Sequence, residues 1–116
     1  MQIKIKGKAV DVQLVRPSSF AERLDVSVAV RANPHRGLAC ALGLCWPRVR
    51  RRVPYKGDPA TFGGQVLDHL EAEGADFGDV MTAGSAALDL CLDIVTESEV
   101  KEAEGNSDAP ADSSIS

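Results

Sequence analysis

Three cysteines and two histidines are the side chains of this 116-residue sequence that suit nucleophilic or metal chemistry. Zinc sites draw on Cys and His ligands at short, regular spacings. Cys40 and Cys45 lie five positions apart instead of forming a CxxC pair, and neither histidine belongs to an HxxxH or HxxC pattern. A four-ligand site would have to combine His35, Cys40, Cys45 and His69. We therefore expect no catalytic, metal or cofactor site, and we predict that the protein is not an enzyme.

The cysteines are predicted to have a structural role. Their number is odd, and Cys40, Cys45 and Cys91 all fall within apolar patterns of helical period. Cysteines of this kind are typical of reduced core residues in a cytosolic protein, and a disulfide framework is disfavoured. Apolar and polar residues alternate at the N-terminus, which does not resemble a signal peptide. The sequence contains no apolar run of about 18 residues, so we expect no membrane span. We expect a cytoplasmic location.

The glycines do not form a phosphate-binding loop. Their order in the second half of the chain fits neither GxGxxG nor GxxxxGK. Gly63 and Gly64 fall inside a predicted helix, where each costs roughly 1 kcal/mol relative to alanine. Two interpretations remain open for this pair: close approach of another backbone, or a tolerated local weakness.

Charge is distributed unevenly along the chain, although the formal net charge is only −4. Up to Lys56 there are twelve Lys and Arg against three acids, whereas from Gly57 onward one lysine accompanies fourteen acids. Such asymmetry steers association with a charged partner or between copies of the same chain.

Two helices at residues 59–73 and 77–95 are predicted to form the centre of the fold. Asp58 is a suitable N-cap for the first helix, and Gly74 suits the left-handed residue that ends it. The second helix begins after Asp76 and is apolar around most of its circumference. A helix of this kind is either central in its domain or partly covered by another chain. We predict that it binds a partner through Met81, Leu88, Leu90 and Ile94.

Residues 1–15 are predicted to form a β-hairpin. A two-residue turn at Gly7 and Lys8, with glycine first, meets the requirement of a type II′ turn. In this register all the apolar residues lie on one face, which favours it over other registers. The apolar pairs are Ile5–Val10, Ile3–Val12 and Met1–Leu14.

Two further helices are predicted at residues 19–31 and 34–46. Ser19 and Glu22 form a capping-box pattern, and Asn33 is an N-cap followed by proline. In the first of these helices one side contains Phe20, Leu24 and Val28. An alternation typical of a strand also runs through Leu24, Val26, Val28 and Val30. The helical assignment of this segment therefore depends on its cap.

The connection at residues 47–58 is predicted to be irregular and is strongly basic. Its arginines are candidate partner-binding residues: Arg48, Arg50, Arg51 and Arg52. They lie close to Trp46 and Tyr55, and arginine interleaved with aromatics suits an acidic protein surface or a nucleic-acid backbone. A solvated loop that offsets the acidic helices is the favoured interpretation. The acidic balance of the whole chain disfavours nucleic acid.

The sequence predicts one domain over residues 1–104, mainly α with a small N-terminal β-hairpin (an α+β fold). Four to five helices would pack around the central helical hairpin. A capping-box pattern at Thr96 predicts a short acidic helix at residues 97–104. Residues 105–116 lack apolar periodicity and are predicted to be a disordered acidic tail.

Several features outside any catalytic motif resemble a known family. They are Tyr55-Lys56-Gly57-Asp58-Pro59, Phe62-Gly63, Leu67-Asp68, Leu70, Gly74 and the acidic segment from Glu97 to Glu104. With the run LACALGLCWP before them, they resemble the tail assembly chaperone-like proteins of tailed bacteriophages, which are encoded beside the tape measure protein. The resemblance covers residues 38–105. The N-terminal hairpin and the arginines at 48–52 have no counterpart in the family pattern, which leaves their role open.

The resemblance implies a non-enzymatic chaperone in the cytoplasm of the host cell. Such proteins coat the long, aggregation-prone tape measure chain until tail tube subunits polymerise around it. The implied partners are the tape measure protein and also the tail tube protein, with association of several copies of the chain itself. Alternative hypotheses are a head–tail connector or tail terminator component, and a small nucleic-acid-binding regulator that uses the loop from Arg48 to Arg52.

Overall fold

The computed structural model describes residues 1–92, which form a two-stranded hairpin followed by five helices. The strands are β1 (Gln2–Ile5) and β2 (Lys8–Asp11), and the helices are α1 (Phe20–Ala32), α2 (Pro34–Cys45), α3 (Pro47–Arg50), α4 (Pro59–Glu73) and α5 (Phe77–Cys91). The predicted α+β architecture, mainly helical with a small N-terminal hairpin, is confirmed. The predictions for residues 93–95, for a helix at 97–104 and for a tail at 105–116 lie outside the described residues. Within residues 1–92, no helix combines the length and the apolar character that crossing a membrane requires.

Side-chain caps decide where four of the helices begin. A side-chain oxygen accepts the backbone N–H of the residue three positions later at Ser19, Asn33, Asp58 and Asp76. Gly74, with φ at 83°, ends α4 in the left-handed conformation. These local bonds explain why the capped segment after Ser19 is a helix in spite of its strand-like alternation.

The hairpin forms, but the predicted register is wrong by two residues. The turn is at Lys6 and Gly7, with φ values of 53° and 79°, and Ile3 pairs with Val10. Positive φ at both turn residues is the type I′ arrangement, whose twist matches that of the flanking strands. Because side chains alternate with a period of two, the shift leaves Ile3 and Ile5 on the buried face.

The hairpin is attached to the turn between α4 and α5. The backbone N–H of Lys6 donates to the carbonyl of Gly74 at 2.9 Å, and that of Asp76 donates to the carbonyl of Lys4 at 2.8 Å. The Asp79 carboxylate accepts the backbone N–H of Lys4 at 2.9 Å. Two strands alone are marginal in water, and these bonds give the hairpin its support.

The centre of the fold is α2. The prediction that the other helices pack around a central hairpin of α4 and α5 is wrong. Helices α1, α4 and α5 each pack mainly against α2, while α4 and α5 make few contacts with each other. Every residue from 39 to 46 is buried. Its small and apolar side chains let α2 accept neighbours on several sides at once.

Glycine permits two of these helix crossings. A side-chain carbon at Gly63 of α4 would collide with the backbone carbonyl of Arg36 on α2. At Gly84 of α5 it would lie 2.8 Å from the carbonyl oxygen of Leu38. At Gly64, in contrast, the nearest atom is the Arg36 guanidinium carbon at 4.0 Å. The close-approach interpretation therefore holds for Gly63, and that of a tolerated local weakness holds for Gly64.

The connection at residues 47–58 is not irregular throughout, because α3 occupies its first four residues. Pro47 stands at the first helical position, where its fixed φ suits a new helix and its missing N–H has no partner to lose. Val49 is fully buried and anchors this turn to the core.

Candidate protein-binding surface

Helix α1 turns its largest apolar side chains toward solvent. Phe20, Leu24 and Val28 are 75%, 66% and 62% exposed, and their four-residue spacing places them on one side of the helix. We call these three residues the α1 face. The buried residues of the helix are Val26 and Ala29, on a different side.

Three charged residues of α1 are held by contacts with the rest of the protein. Both carboxylate oxygens of Glu22 accept from the Arg50 guanidinium, at 2.9 and 2.7 Å. The Arg23 Nε donates to the carbonyl oxygen of Cys91 at 2.7 Å. The Tyr55 hydroxyl donates to the Asp25 carboxylate. These contacts attach α1 through its polar residues and leave the α1 face outside.

Among the contacts that attach α1, Glu22 and Arg50 form a bidentate ion pair. Arg50 also donates to the carbonyl of Leu44 at 3.2 Å, so its guanidinium joins α1, α2 and α3. Two parallel charge-assisted bonds fix orientation as well as distance.

The Tyr55 side chain is partly buried, and its hydroxyl is partly shielded from water. Burial, followed by the hydrogen bond to Asp25, raises the pKa of Tyr55 above its ordinary value. The ring packs edge-on against Phe62 of α4, with centroids 5.0 Å apart. Tyr55 thus links the basic connection to both α1 and the core.

A shallow groove of about 430 Å³ adjoins the α1 face. Phe20, Arg23 and Leu24 of α1 line it together with Cys91 and Leu92 at the end of α5. A mainly apolar groove beside an exposed apolar ridge is a shape into which a helix of another protein can pack.

A second groove, of about 500 Å³, lies at the N-terminal end of α1. Arginines 16, 50 and 51 line it, together with Glu22 and the serines that precede the helix. We call it the basic groove. Arg50 is bound to Glu22, and Arg51 is exposed.

The four arginines predicted to contact a partner do not form one patch. Arg48 lies over the Trp46 ring, 5.7 Å from its centroid, and pairs with Glu73 at 3.7 Å. Arg50 is part of the attachment of α1. Arg51 and Arg52 are exposed. For all four arginines, contact with a partner stays a prediction.

The apolar residues predicted on α5 are less available than those of α1. Met81, Leu88 and Leu90 are half-buried and pack against the core, and Ile94 lies outside the described residues. Their role in binding a partner also stays a prediction. The sequence pattern does place Phe20, Leu24 and Val28 on one side of α1. It does not reveal that this side faces water, because the contacts that orient α1 join residues far apart in sequence.

The histidine and cysteine side chains that could bind a metal ion or act in catalysis lie apart from one another in the described structure. His35 lies beside Phe77, with ring centroids 6.2 Å apart, and the Nε2 atom of His69 lies 3.7 Å from the Glu73 carboxylate. Within residues 1–92 no three His, Cys, Asp or Glu side chains are grouped to hold a metal ion. The sequence-level combination of His35, Cys40, Cys45 and His69 does not assemble in the described structure.

All three cysteines are buried and free. Burial raises the pKa of Cys40 from its ordinary value of 9.0 to about 12. The Sγ atoms of Cys45 and Cys91 lie 3.4 Å apart, and this hydrogen bond together with burial raises the pKa of Cys45. Neutral, buried thiols pack as small apolar groups, and the predicted core role of the cysteines agrees with their positions.

Comparison with known proteins does not add a family to these observations. No protein-family model, curated protein or solved structure matches the chain.

Proposed function

We propose that the protein is a non-enzymatic chaperone of phage tail assembly, which holds a helical segment of the tape measure protein in the cytoplasm of the host cell. The observation that supports this proposal is the exposed α1 face beside its apolar groove. The resemblance over residues 38–105 supplies the identity of the partner. The tail tube protein is a further partner in this proposal.

The dimensions of the α1 face suit a helix. Residues four positions apart repeat at about 6 Å along a helix axis, so three of them span about two turns. Burying a large apolar side chain stabilises a complex by roughly 1.5–3 kcal/mol. Part of this gain is offset by the loss of translational and side-chain freedom on association. A contact of this size gives reversible binding, which a chaperone that must release its client requires.

Co-expression with the tape measure protein tests the proposal. We expect the wild-type chain to increase the soluble yield of the tape measure protein and to copurify with it. Leu24→Glu places a charge in the middle of the α1 face and should abolish both effects. Phe77→Glu is the matched control, because Phe77 is 61% exposed but belongs to the start of α5. It should behave as the wild type does.

Two results would contradict the proposal. One is a tape measure protein whose solubility is unaffected by the wild-type chain. The other is the presence of the chain as a stoichiometric component of purified virions, since that outcome favours a head–tail connector or tail terminator.

A further inference from the structure

Two of the three buried cysteines are in contact with each other. The Sγ atoms of Cys45 and Cys91 lie 3.4 Å apart, although 46 positions separate the two residues in the sequence. Cys45 is the last residue of α2, and Cys91 is the last residue of α5. The fold therefore brings together two thiols from the C-terminal ends of two different helices.

The position of this pair suits a covalent bond. The S–S bond of a disulfide is about 2.0 Å long, so the two sulfur atoms have to approach each other by roughly 1.4 Å. Helix ends open locally at a lower cost in free energy than helix centres do. Because both cysteines stand at helix ends, a small rotation of their side chains during such an opening brings the sulfur atoms to bonding distance.

Each of the two thiols lines a different surface groove. Cys45 contributes to the basic groove, and Cys91 contributes to the groove beside the α1 face. Both residues are almost fully buried, so a reagent that reaches them has to be small. The hydrogen bond from Cys45, together with the charge of Arg23, holds the pKa of Cys91 below its ordinary value against the effect of burial. Since the thiolate is the form that attacks an oxidant, Cys91 is the nucleophile of the pair.

We propose that Cys45 and Cys91 are a site of reversible oxidation, at which hydrogen peroxide converts the two thiols into an intramolecular disulfide. First, the Cys91 thiolate attacks a peroxide oxygen, the O–O bond breaks, and hydroxide leaves, which makes Cys91 a sulfenic acid. Next, the Cys45 sulfur attacks the Cys91 sulfur, the S–O bond breaks, and the departing hydroxide takes the thiol proton of Cys45 to form water. The sulfur atoms are oxidised, and peroxide is reduced to water.

The disulfide fastens the end of α5, where Cys91 lines the groove beside the α1 face, to the end of α2. Disulfides in the cytosol, where they occur, are usually transient and respond to oxidants. The three free thiols are then the resting state of the protein, and the bridge forms when peroxide is present. Oxidation at this pair goes beyond the proposed chaperone function and does not depend on it.

Treatment of the full-length protein with hydrogen peroxide tests the proposal. The product is denatured, its remaining thiols are alkylated, and its peptides are analysed by mass spectrometry without reduction. We expect a protein lighter by about 2 Da, with a cross-linked peptide pair that contains Cys45 and Cys91 and with Cys40 alkylated. Dithiothreitol should restore all three free thiols. The oxidised protein should melt at least about 5 °C higher, because the bridge restricts the unfolded chain.

Single substitutions assign the role of each cysteine. Cys40→Ala is the matched control, since it removes the other thiol of α2 and should still form the bridge. Cys91→Ser should form no bridge. Cys45→Ser removes the second thiol of the pair, so oxidation should stop at a sulfenic acid on Cys91, which dimedone labels. Circular dichroism of each variant establishes that the helices are intact.

Several results on the wild-type protein would overturn the proposal, whatever the variants do. One is a protein that keeps all three thiols after treatment with peroxide. Another is a bridge that includes Cys40 or that joins two copies of the chain. A bridge between Cys45 and Cys91 that leaves the melting temperature unchanged or lowers it would also count against the proposal, because it would mean that the bond forms only in a disrupted fold.

Discussion

Helices α1 and α2 are joined by Asn33 alone and pack against each other, yet they have opposite relations to water. All residues of α2 from position 39 onward are buried, whereas α1 exposes Phe20, Leu24 and Val28. Composition is one source of the difference, because α1 contains four residues of the types Asp, Glu, Lys and Arg and α2 contains only Arg36. The other source is the set of contacts made by the polar residues of α1, which are bound to Arg50, Tyr55 and the end of α5. The apolar content of a helix predicts that it has an apolar surface to bury. The contacts of its polar residues determine which side of the helix remains exposed to solvent.

Truncation of an apolar side chain should lower the free energy of unfolding much more in α2 than in α1, and this is the largest difference that we expect between the two helices. Leu42→Ala in α2 removes a fully buried side chain and should lower the free energy of unfolding by about 2–5 kcal/mol. Val28→Ala in α1 removes exposed atoms and should change it by less than about 0.5 kcal/mol. Urea denaturation followed by circular dichroism measures both. Similar losses for the two variants would mean that the α1 face is covered in the isolated protein, and the comparison would collapse.

Substitution of the adjacent glycines of α4 should give effects of opposite sign. Gly63→Ala forces a methyl group against the backbone carbonyl of Arg36, and we expect a loss of about 1–3 kcal/mol, the range found for overpacking. Gly64→Ala meets open space and should raise the stability by roughly 0.5–1 kcal/mol, since alanine favours a helix. The melting temperatures of the two variants provide the measurement. If both variants are stabilised, α2 is less tightly enclosed than its packing indicates.

The parts of the fold that could be predicted from sequence are those fixed by local bonds. The boundaries of α1, α2 and α4 follow from caps such as Ser19 and Asp58, whose hydrogen bonds reach only three residues along the chain. The hairpin was predictable as an element because its alternation is local. Its register was not, because a shift of two residues keeps the same side chains on the buried face.

The parts that escaped prediction depend on contacts between distant segments. The small residues of α2 gave no sign that three helices converge on it, and Gly63 differs from Gly64 only through the backbone of Arg36. The outward orientation of the α1 face depends on the pairing of Glu22 with Arg50, 28 positions away. The sequence therefore predicted an exposed apolar surface on α5, whereas the most exposed apolar ridge within residues 1–92 is on α1.

The buried thiol of Cys40, one of two in α2, should make stability sensitive to alkaline pH. The pKa of Cys40 is raised to about 12 by burial, against 9.0 ordinarily, so the unfolded chain loses this proton first. The stability that the neutral thiol contributes is present below pH 9 and is lost between pH 9 and pH 12, by about 1.4 kcal/mol per pH unit. Tyr55, with its pKa also raised, acts in the same direction above pH 10.

Urea denaturation at a series of alkaline pH values, with a reductant present, measures this slope. Cys40→Ala should have lower stability at neutral pH and a shallower decline above pH 9, because the proton-linked contribution of one thiol is removed. Tyr55→Phe, which leaves the cysteines unchanged, is the control for the contribution of the phenol. Parallel declines in Cys40→Ala and wild type would show that this thiol is accessible to water, contrary to the enclosed position of α2.

The smallest expected effect on stability belongs to the α1 face itself. Leu24→Ser exchanges an exposed apolar side chain for a polar one, and it should alter the free energy of unfolding by less than about 0.5 kcal/mol. The same variant should bind the tape measure protein at least about tenfold more weakly, since it removes an apolar side chain from the centre of the contact. Substitution of a residue that contributes to folding lowers both the free energy of unfolding and the affinity for the partner. Substitution of a residue that serves only the partner lowers the affinity alone. Measurements of unfolding and of copurification with the tape measure protein separate these cases. A loss of stability comparable to that of Leu42→Ala would assign Leu24 to the core of the protein.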